Sequence, residues 1–375
     1  MERIEVLKWL REEEPARLEM LYCRADEARR CAVGDGVHLR GLLEISNHCV
    51  RSCAYCGLNA GRRDLARYRM SAAEIMECVR EILSFGYGTV VMQSGEDYGI
   101  EAGWMAGLVR RIKSKTPLAV TLSLGERPEA DLIAWKRAGA DRYLLRFETS
   151  DPALYDRIHP RLAGRVSDRV VLLRRLREIG YEIGSGVMIG IPGQTFESLA
   201  DDLELFRALD LDMIGVGPYL PHPATPLATA ECAPEGRQVP NSEEMTYKVV
   251  ALARLLCPEA NIPATTALAT LNTAQGRELG LSRGANVVMP NVTPAAYRRL
   301  YEIYPGKACI GETAAACQGC MAGRIRAMGR SIGVGPGGRK RLRTARRAAR
   351  ARDFGLRIDS ASPACIPQSE IRNLQ

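Results

Sequence analysis

Short runs rich in apolar and β-branched residues alternate along most of the chain with longer stretches whose apolar positions recur every three or four residues. The strand-like runs fall at 37–46, 89–93, 118–124, 142–148, 182–191, 212–219, 262–269 and 286–289, and stretches between them such as 131–138 and 170–179 have helical spacing. Strands alternating with helices predict a parallel sheet. Eight such units close into a (β/α)8 TIM-type barrel, with an open doubly wound sheet as the competing arrangement. Ser71-Ala72-Ala73-Glu74 has capping-box spacing and predicts a helix over 71–85, stopped by Gly86. At the start, Leu7, Leu10, Leu18 and Leu21 share one helical face, interrupted by Pro15, which predicts helices packing beneath the barrel. The chain then divides into an N-terminal helical segment (1–36), a barrel (37–325) and a C-terminal extension (326–375).

A length of 375 residues is long for one domain but ordinary for an α/β barrel. The first thirty residues are charged throughout, with no apolar signal core, and no later apolar run reaches the length of a membrane span. The expectation is a cytoplasmic protein with no membrane partner. The formal net charge of +8 is concentrated at 339–352, which holds eight basic residues and no acidic one. The body of the chain is therefore near neutral and no nucleic-acid partner is expected. The basic run could bind RNA or an acidic membrane surface, but a solvated extension is the simpler reading.

Twelve cysteines outside a secretory context indicate metal or redox use rather than disulfides. Cys23, Cys31, Cys78, Cys232, Cys257 and Cys365 have no ligand spacing and read as apolar fillers or surface thiols. Cys49, Cys53 and Cys56 differ: they fall within eight residues, as Cys-x3-Cys-x2-Cys, just after the first strand. Three thiolates can hold three irons of a 4Fe-4S cubane, one short of the usual four, and leave one iron open to a ligand that is not protein. Zinc is the rival. A structural zinc site needs four ligands, and the only local addition, His48, is the peptide neighbour of Cys49.

In a barrel of this kind, functional groups gather at the C-terminal ends of the strands. The chain places there the cysteine loop, Gln93-Ser94-Gly95-Glu96-Asp97, Ser123-Leu124-Gly125-Glu126, Arg146-Phe147-Glu148-Thr149, Pro192-Gly193-Gln194-Thr195, Pro221-His222-Pro223 and Thr265-Thr266. An iron-sulfur electron carrier would have no use for an open iron beside so many polar strand ends.

The cysteine triplet with Tyr55 resembles the signature of the radical S-adenosylmethionine (radical SAM) superfamily. Over roughly 37–341 the motifs above, with Tyr68-Arg69-Met70, Asn261-Ile262-Pro263-Ala264 and Pro290-Asn291-Val292-Thr293-Pro294, resemble the FeFe-hydrogenase maturases of that superfamily, which are related to biotin synthase. The resemblance implies a 4Fe-4S cluster and SAM, reductive cleavage of SAM to a 5'-deoxyadenosyl radical, and a part in assembling the diiron subcluster of the hydrogenase H-cluster. It also implies a small-molecule or organoiron substrate, other hydrogenase maturation proteins as partners, and an electron donor such as flavodoxin or ferredoxin. Biotin synthase needs further cluster ligands, including cysteines, on its barrel strands, and 118–124 and 142–148 contain no cysteine. A methylornithine-forming mutase shares the loop and barrel and is the alternative.

The same resemblance assigns Tyr55 to adenine, Gln93, Ser94, Gly95 and Glu96 to the methionine end of SAM, Glu148 to the ribose hydroxyls, Arg169 to the methionine carboxylate and Tyr301 to the ribose. Each has a plainer reading: Glu148 could pair with Arg146, and Arg169 could be a solvated helix residue. For the substrate, Arg146, Thr265 and Thr266 would form an anion site, since a guanidinium and two hydroxyls suit a carboxylate, with Met213 and Met289 as apolar walls. Both threonines could equally be ordinary strand residues. A second group, Cys309-x7-Cys317-x2-Cys320, comes after the last strand, where members of the family often carry an auxiliary cluster, 2Fe-2S or 4Fe-4S. Unligated cysteines are the plainer reading.

Overall fold

The computed structural model describes residues 1–164, 167–234 and 236–339. Ten strands occur among them: β1 (Gly36–Ser46), β2 (Thr89–Ser94), β3 (Ala119–Ser123), β4 (Arg142–Leu144), β5 (Glu182–Ser185), β6 (Met188–Ile189), β7 (Met213–Ile214), β8 (Gly217–Pro218), β9 (Val287–Val288) and β10 (Ser331–Ile332). Parallel pairing runs β1-β2-β3-β4-β5-β7, and β6 and β8 continue the fifth and sixth staves as a second parallel pair. Single bridges from Met213 to Asn261 and from Pro263 to Val287 supply the seventh stave, and β9 pairs with β1 at His38 and Leu39. The ring thereby closes, as the alternating pattern predicted.

The seventh stave differs from its expected extent. Only 261–263 bridge to neighbours, because Thr265 caps a helix, Thr266–Leu271, its Oγ1 accepting from the Leu268 amide at 3.4 Å. Leucine and alanine after a threonine cap favour the helix over a longer strand. The run 142–148 likewise ends as a strand at Leu144, and Glu148 beyond it has φ +66°.

The expected capping box is present, with Ser71 Oγ accepting from the Glu74 amide and the Glu74 carboxylate accepting from the Ser71 amide. Pro15 begins a helix rather than breaking one, since the first turn needs no amide donor there. The N-terminal helices, Arg3–Leu10 and Pro15–Val33, pack on the flank of the barrel, against the outer helices Phe196–Ala208 and Glu243–Leu256, instead of beneath it. Val6, Leu10, Leu18 and Leu21 join the main hydrophobic core there.

The floor of the barrel is closed by the chain after β10, which itself pairs with the start of β1. The Pro336 carbonyl accepts from Thr89 Oγ1 (3.1 Å) and Arg142 Nη2 (2.9 Å), and the Gly337 carbonyl from Arg40 Nη2 (3.1 Å) and Asn261 Nδ2 (3.0 Å). Four staves thus donate to one crossing segment. Arg339 anchors its end on Asp210, Asp212 and Glu259. The rest of the basic run, and Cys365, lie outside the described residues. Among the described residues no helix is long and apolar enough to cross a membrane.

Candidate active site

The loop leaving β1 is pinned before its first cysteine. Asn47 Nδ2 donates to the carbonyls of Ala66 and Leu300, both at 2.9 Å, and Asn47 Oδ1 accepts from the Tyr68 amide at 2.7 Å. The Cys49 thiol faces the backbone amides of Arg51 and Glu96, and Cys56 Sγ accepts from the Leu58 amide at 3.5 Å. Burial pushes all three thiols up, Cys56 to about 12. Without a metal they are neutral, because a desolvated thiolate is unfavourable. Gly95 packs on this loop: a Cβ there would sit 2.2 Å from the His48 carbonyl oxygen and 2.8 Å from Cys49 Cβ. Its close approach is to the cysteine loop.

The three cysteines stand at one side of a cavity of about 340 Å³ inside the barrel mouth. Tyr55, Gln93, Ser94, Glu96, Glu148 and Arg169 line it, and so do Arg146, Met213, Thr265, Thr266 and Met289. Gly95 and Tyr301 do not. Tyr301 is buried behind the wall, its hydroxyl accepting from Gln93 Nε2 at 3.2 Å. Two of the expected mouth clusters also lie off the cavity. Gln194 is buried under the sixth strand, its Oε1 accepting from the Gly190 amide, and His222 packs against Gly57.

Arg146 Nη2 lies 3.0 Å from Glu148 Oε2, an ion pair that is not aligned as a hydrogen bond, so both atoms, and Arg146 Nε, remain without hydrogen-bond partners although buried. Thr265 and Thr266 open a helix instead of ending a strand, and the Thr265 hydroxyl serves as its cap. Arg169 is far from a solvated helix residue. It donates to Glu126 Oε1 (2.9 Å), the Arg146 carbonyl (2.7 Å) and His159 Nε2, whose ring burial and the nearby Arg169 hold down to about 2 and therefore neutral.

Several residues with no spacing signal complete the site. Arg51, inside the cysteine triplet, donates from Nε to Glu96 Oε1 and pairs through Nη2 with Glu126 Oε2. Lys307, after the last stave, forms a buried ion pair with Glu44, which also accepts from Asn291 Nδ2 at 3.0 Å. At the floor, Arg40 is buried with Nη1 on Met213 Sδ at 3.1 Å, and burial followed by the nearby Arg142 pulls it down to about 9. An arginine on a strand otherwise rich in apolar residues was the one hint of it in the sequence.

The radical SAM superfamily profile matches residues 43–206. The [FeFe] hydrogenase maturase subunit HydE of Thermotoga maritima is 47% identical over 324 residues, which is 86% of this chain and 90% of that protein. The chain belongs to the HydE family of radical SAM enzymes. A 3-methylornithine synthase of Methanosarcina acetivorans is 31% identical, covering 72% of this chain and 74% of that one. The crystal structure of a methylornithine synthase superposes with a TM-score of 0.74 at 26% identity, over 88% of this chain and 94% of that one.

A HydE-family enzyme uses a 4Fe-4S cluster and SAM, and the residues fit both. Three thiols sit together with amide donors already aimed at two of them, and hydrogen bonds to the sulfurs are a lever on cluster potential. The unpartnered atoms of Arg51, Arg146 and Glu148 give the cavity wall polar groups that a polar ligand can satisfy.

The second cysteine group lies outside this cavity. Cys309 and Cys317 meet, while Cys320 is exposed on the same helix, Ala314–Ala327, and lines the same small cleft. The Cys309 thiol is lowered, first by a hydrogen bond from Cys317 and then by Arg277, while Cys317 keeps the proton.

Proposed function

We propose that this protein cleaves SAM as a maturase in the assembly of the diiron subcluster of the [FeFe]-hydrogenase H-cluster, acting on a small-molecule or organoiron substrate inside the barrel. The observation that carries the proposal is the gathering of three thiols, Cys53 buried and Cys49 and Cys56 half-buried, at one side of a cavity whose other walls hold charged side chains with atoms left without hydrogen bonds, in a chain similar to HydE along most of its length. When bound, the cluster supplies one electron to the SAM sulfonium, giving methionine and a 5'-deoxyadenosyl radical.

Cys49, Cys53 and Cys56 hold the cluster. Gln93, Ser94 and Glu96 take the methionine end, with Gly95 setting the loop against them and Tyr301 fixing Gln93. Glu148 accepts the ribose hydroxyls through the oxygen that lacks a hydrogen bond. Arg169 has five N–H donors and spends three on its neighbours, leaving two for the methionine carboxylate. Tyr55 presents its ring to adenine from a small apolar cluster that includes Met188 and Tyr219. Arg146, Thr265 and Thr266 bind an anionic part of the substrate, with Met213 and Met289 as soft walls. The closed barrel and its sealed floor exclude water from the chemistry.

The division into an N-terminal helical segment, a barrel and a C-terminal extension is part of the same reading. The partners are other hydrogenase maturation proteins and a reduced flavodoxin or ferredoxin, in the cytoplasm, where free surface thiols such as Cys23 and Cys232 stay reduced.

The test is anaerobic reconstitution with iron and sulfide, then addition of SAM and a one-electron reductant. Release of 5'-deoxyadenosine and methionine, lost on Cys53→Ala, is the expected outcome. Complementation of a strain lacking its own HydE then tests the maturase role, and production of 3-methylornithine by the purified protein would instead favour the mutase.

A further inference from the structure

Pro221-His222-Pro223 follows β8 and lies off the main cavity, yet its histidine reaches the cysteine loop. His222 is buried although it belongs to no strand or helix. Its backbone and ring are both held. The Thr225 amide and hydroxyl donate to the His222 carbonyl at 2.9 and 2.7 Å, and the Ala224 amide donates to ring Nδ1 at 3.1 Å. Pro223 further restricts the backbone of the residue before it.

The opposite edge of the ring lies against Gly57, the residue after Cys56. A Cβ on Gly57 would stand 2.7 Å from both Cδ2 and Nε2 of His222, and 2.2 Å from the carbonyl oxygen of Glu302. Gly57 is thus gripped between a side chain and a backbone. Its amide donates to the Ile303 carbonyl at 3.0 Å, and Arg62, paired with Asp64, approaches His222 Nε2 at 3.3 Å. The same segment also holds the loop upstream, where the Leu227 amide donates to the Ala54 carbonyl at 3.0 Å. Residues 222–227 therefore brace the cysteine loop on each side of Cys56.

The brace bears on a hydrogen bond to sulfur. The Gly57–Leu58 peptide carries the amide that donates to Cys56 Sγ at 3.5 Å, and Asn59 Nδ2 donates to the Cys56 carbonyl at 2.8 Å. With Gly57 gripped, that N–H stays on the sulfur. A donor beside a cluster sulfur stabilises the reduced, more negative cluster over the oxidised one, and so raises its potential.

We infer that His222 is a positioning residue for the cluster: its ring edge fixes the Gly57–Leu58 peptide, and through the Leu58 amide it raises the potential at which the cluster takes up the electron for SAM. The inference rests on Cys49, Cys53 and Cys56 as the cluster ligands. It requires no contact between His222 and SAM or substrate, and His222 lines no wall of the cavity.

The experiment uses the full chain, reconstituted anaerobically with iron and sulfide, and three variants. His222→Asn keeps an acceptor where Nδ1 stood and removes the edge, whereas His222→Phe keeps a ring edge and loses the acceptor. Thr225→Val removes one bond to the His222 carbonyl and leaves the ring in place. The potential is read from the electron paramagnetic resonance signal that SAM perturbs. In His222→Asn the reduction equilibrium should fall at least about threefold, roughly 28 mV for one electron. His222→Phe and Thr225→Val should stay near the parent potential even where their thermal midpoints fall. In the cluster-free chain, amide hydrogen exchange over 57–60 should be faster in His222→Asn alone. If His222→Phe does not fold, the comparison of His222→Asn with Thr225→Val decides. Unchanged potential and exchange in His222→Asn would overturn the inference, and so would an equal shift in either of the other two variants, which would leave His222 a packing residue only. A SAM-responsive signal that persists in Cys53→Ala would instead overturn the ligand assignment beneath it.

Discussion

The Arg51 guanidinium donates from Nε to Glu96 Oε1 at 2.8 Å, with both side chains almost wholly withdrawn from solvent. This contact ties the middle of the cysteine loop to the end of β2. Glu126, from the end of β3, pairs with both Arg51 and Arg169, so one ionic network holds the loop, two staves and the helix Arg169–Ile179 in register. Removing Glu96 strips Arg51 of a buried, charged hydrogen bond and leaves Glu126 to balance it, so Glu96→Ala should destabilise the protein by about 2 kcal/mol in urea unfolding. The double variant Arg51→Met/Glu96→Met should lose less than the sum of the single ones. Additive losses would mean that the two do not act as a pair.

Gly95 offers a sharper test of how the loop is placed. A methyl group there meets the backbone of His48, which cannot yield as a flexible side-chain end could. Gly95→Ala should therefore reduce the iron retained on reconstitution and abolish SAM cleavage. Gly103 has open space where its Cβ would be, so Gly103→Ala is a control expected to retain both. Equal iron content in the two variants would remove Gly95 from the positioning of the loop.

How much of this was legible in the sequence depends on whether the determining signal was local. The barrel was legible because apolar periodicity and strand-helix alternation are written in each segment, and the cysteine loop because its ligands are close in sequence. Thr265 was misplaced on a strand because a cap and a strand end use the same residue type, and the choice was made by the alanines and leucines after it. Arg51, Glu126 and Lys307 went unassigned because their partners, Glu96, Arg169 and Glu44, are remote in sequence. The floor segment was hidden for another reason: its carbonyls do the binding, and any sequence has carbonyls.

Asp202 gives a pH dependence whose sign is fixed by its surroundings. Burial, opposed by hydrogen bonds from Ser150 and Gln194, raises its carboxyl from 3.8 to about 7. Below 3.8 it is protonated in both folded and unfolded chains. Between 3.8 and about 7 the unfolded chain ionises first, so native stability falls as pH rises, and above that range the loss is complete. The stability of the parent relative to Asp202→Asn should fall across that window and then level off. A difference that is flat with pH would show that Asp202 ionises normally in the folded protein.

Glu148 tests whether an ion pair and a cofactor site can be the same object. Its carboxylate lies beside Arg146 but lacks a hydrogen bond, and its backbone sits at φ +66°, a conformation that non-glycine residues rarely hold without compensation. If the carboxylate binds the SAM ribose, Glu148→Ala should raise the SAM dissociation constant at least about tenfold, or 1.4 kcal/mol. Arg146→Met, which removes the ion pair but leaves the carboxylate, should change SAM affinity much less. Unaltered SAM binding in Glu148→Ala would reduce Glu148 to the partner of Arg146.

The two cysteine groups should separate cleanly in function. Cys309, Cys317 and Cys320 share no wall with the main cavity, and the chain reaches them only after Tyr304 and Lys307 have closed its rim. Cys317→Ser should therefore lower bound metal and loosen the helix Ala314–Ala327, read as a lower thermal midpoint, while 5'-deoxyadenosine is still released. Cys53→Ala should do the reverse, ending SAM cleavage while metal stays at the second site. The asymmetry comes from place: Cys49, Cys53 and Cys56 line the main cavity, and the second group lines a separate cleft. Cleavage that survives without Cys53 and fails without Cys317 would exchange the roles of the two sites.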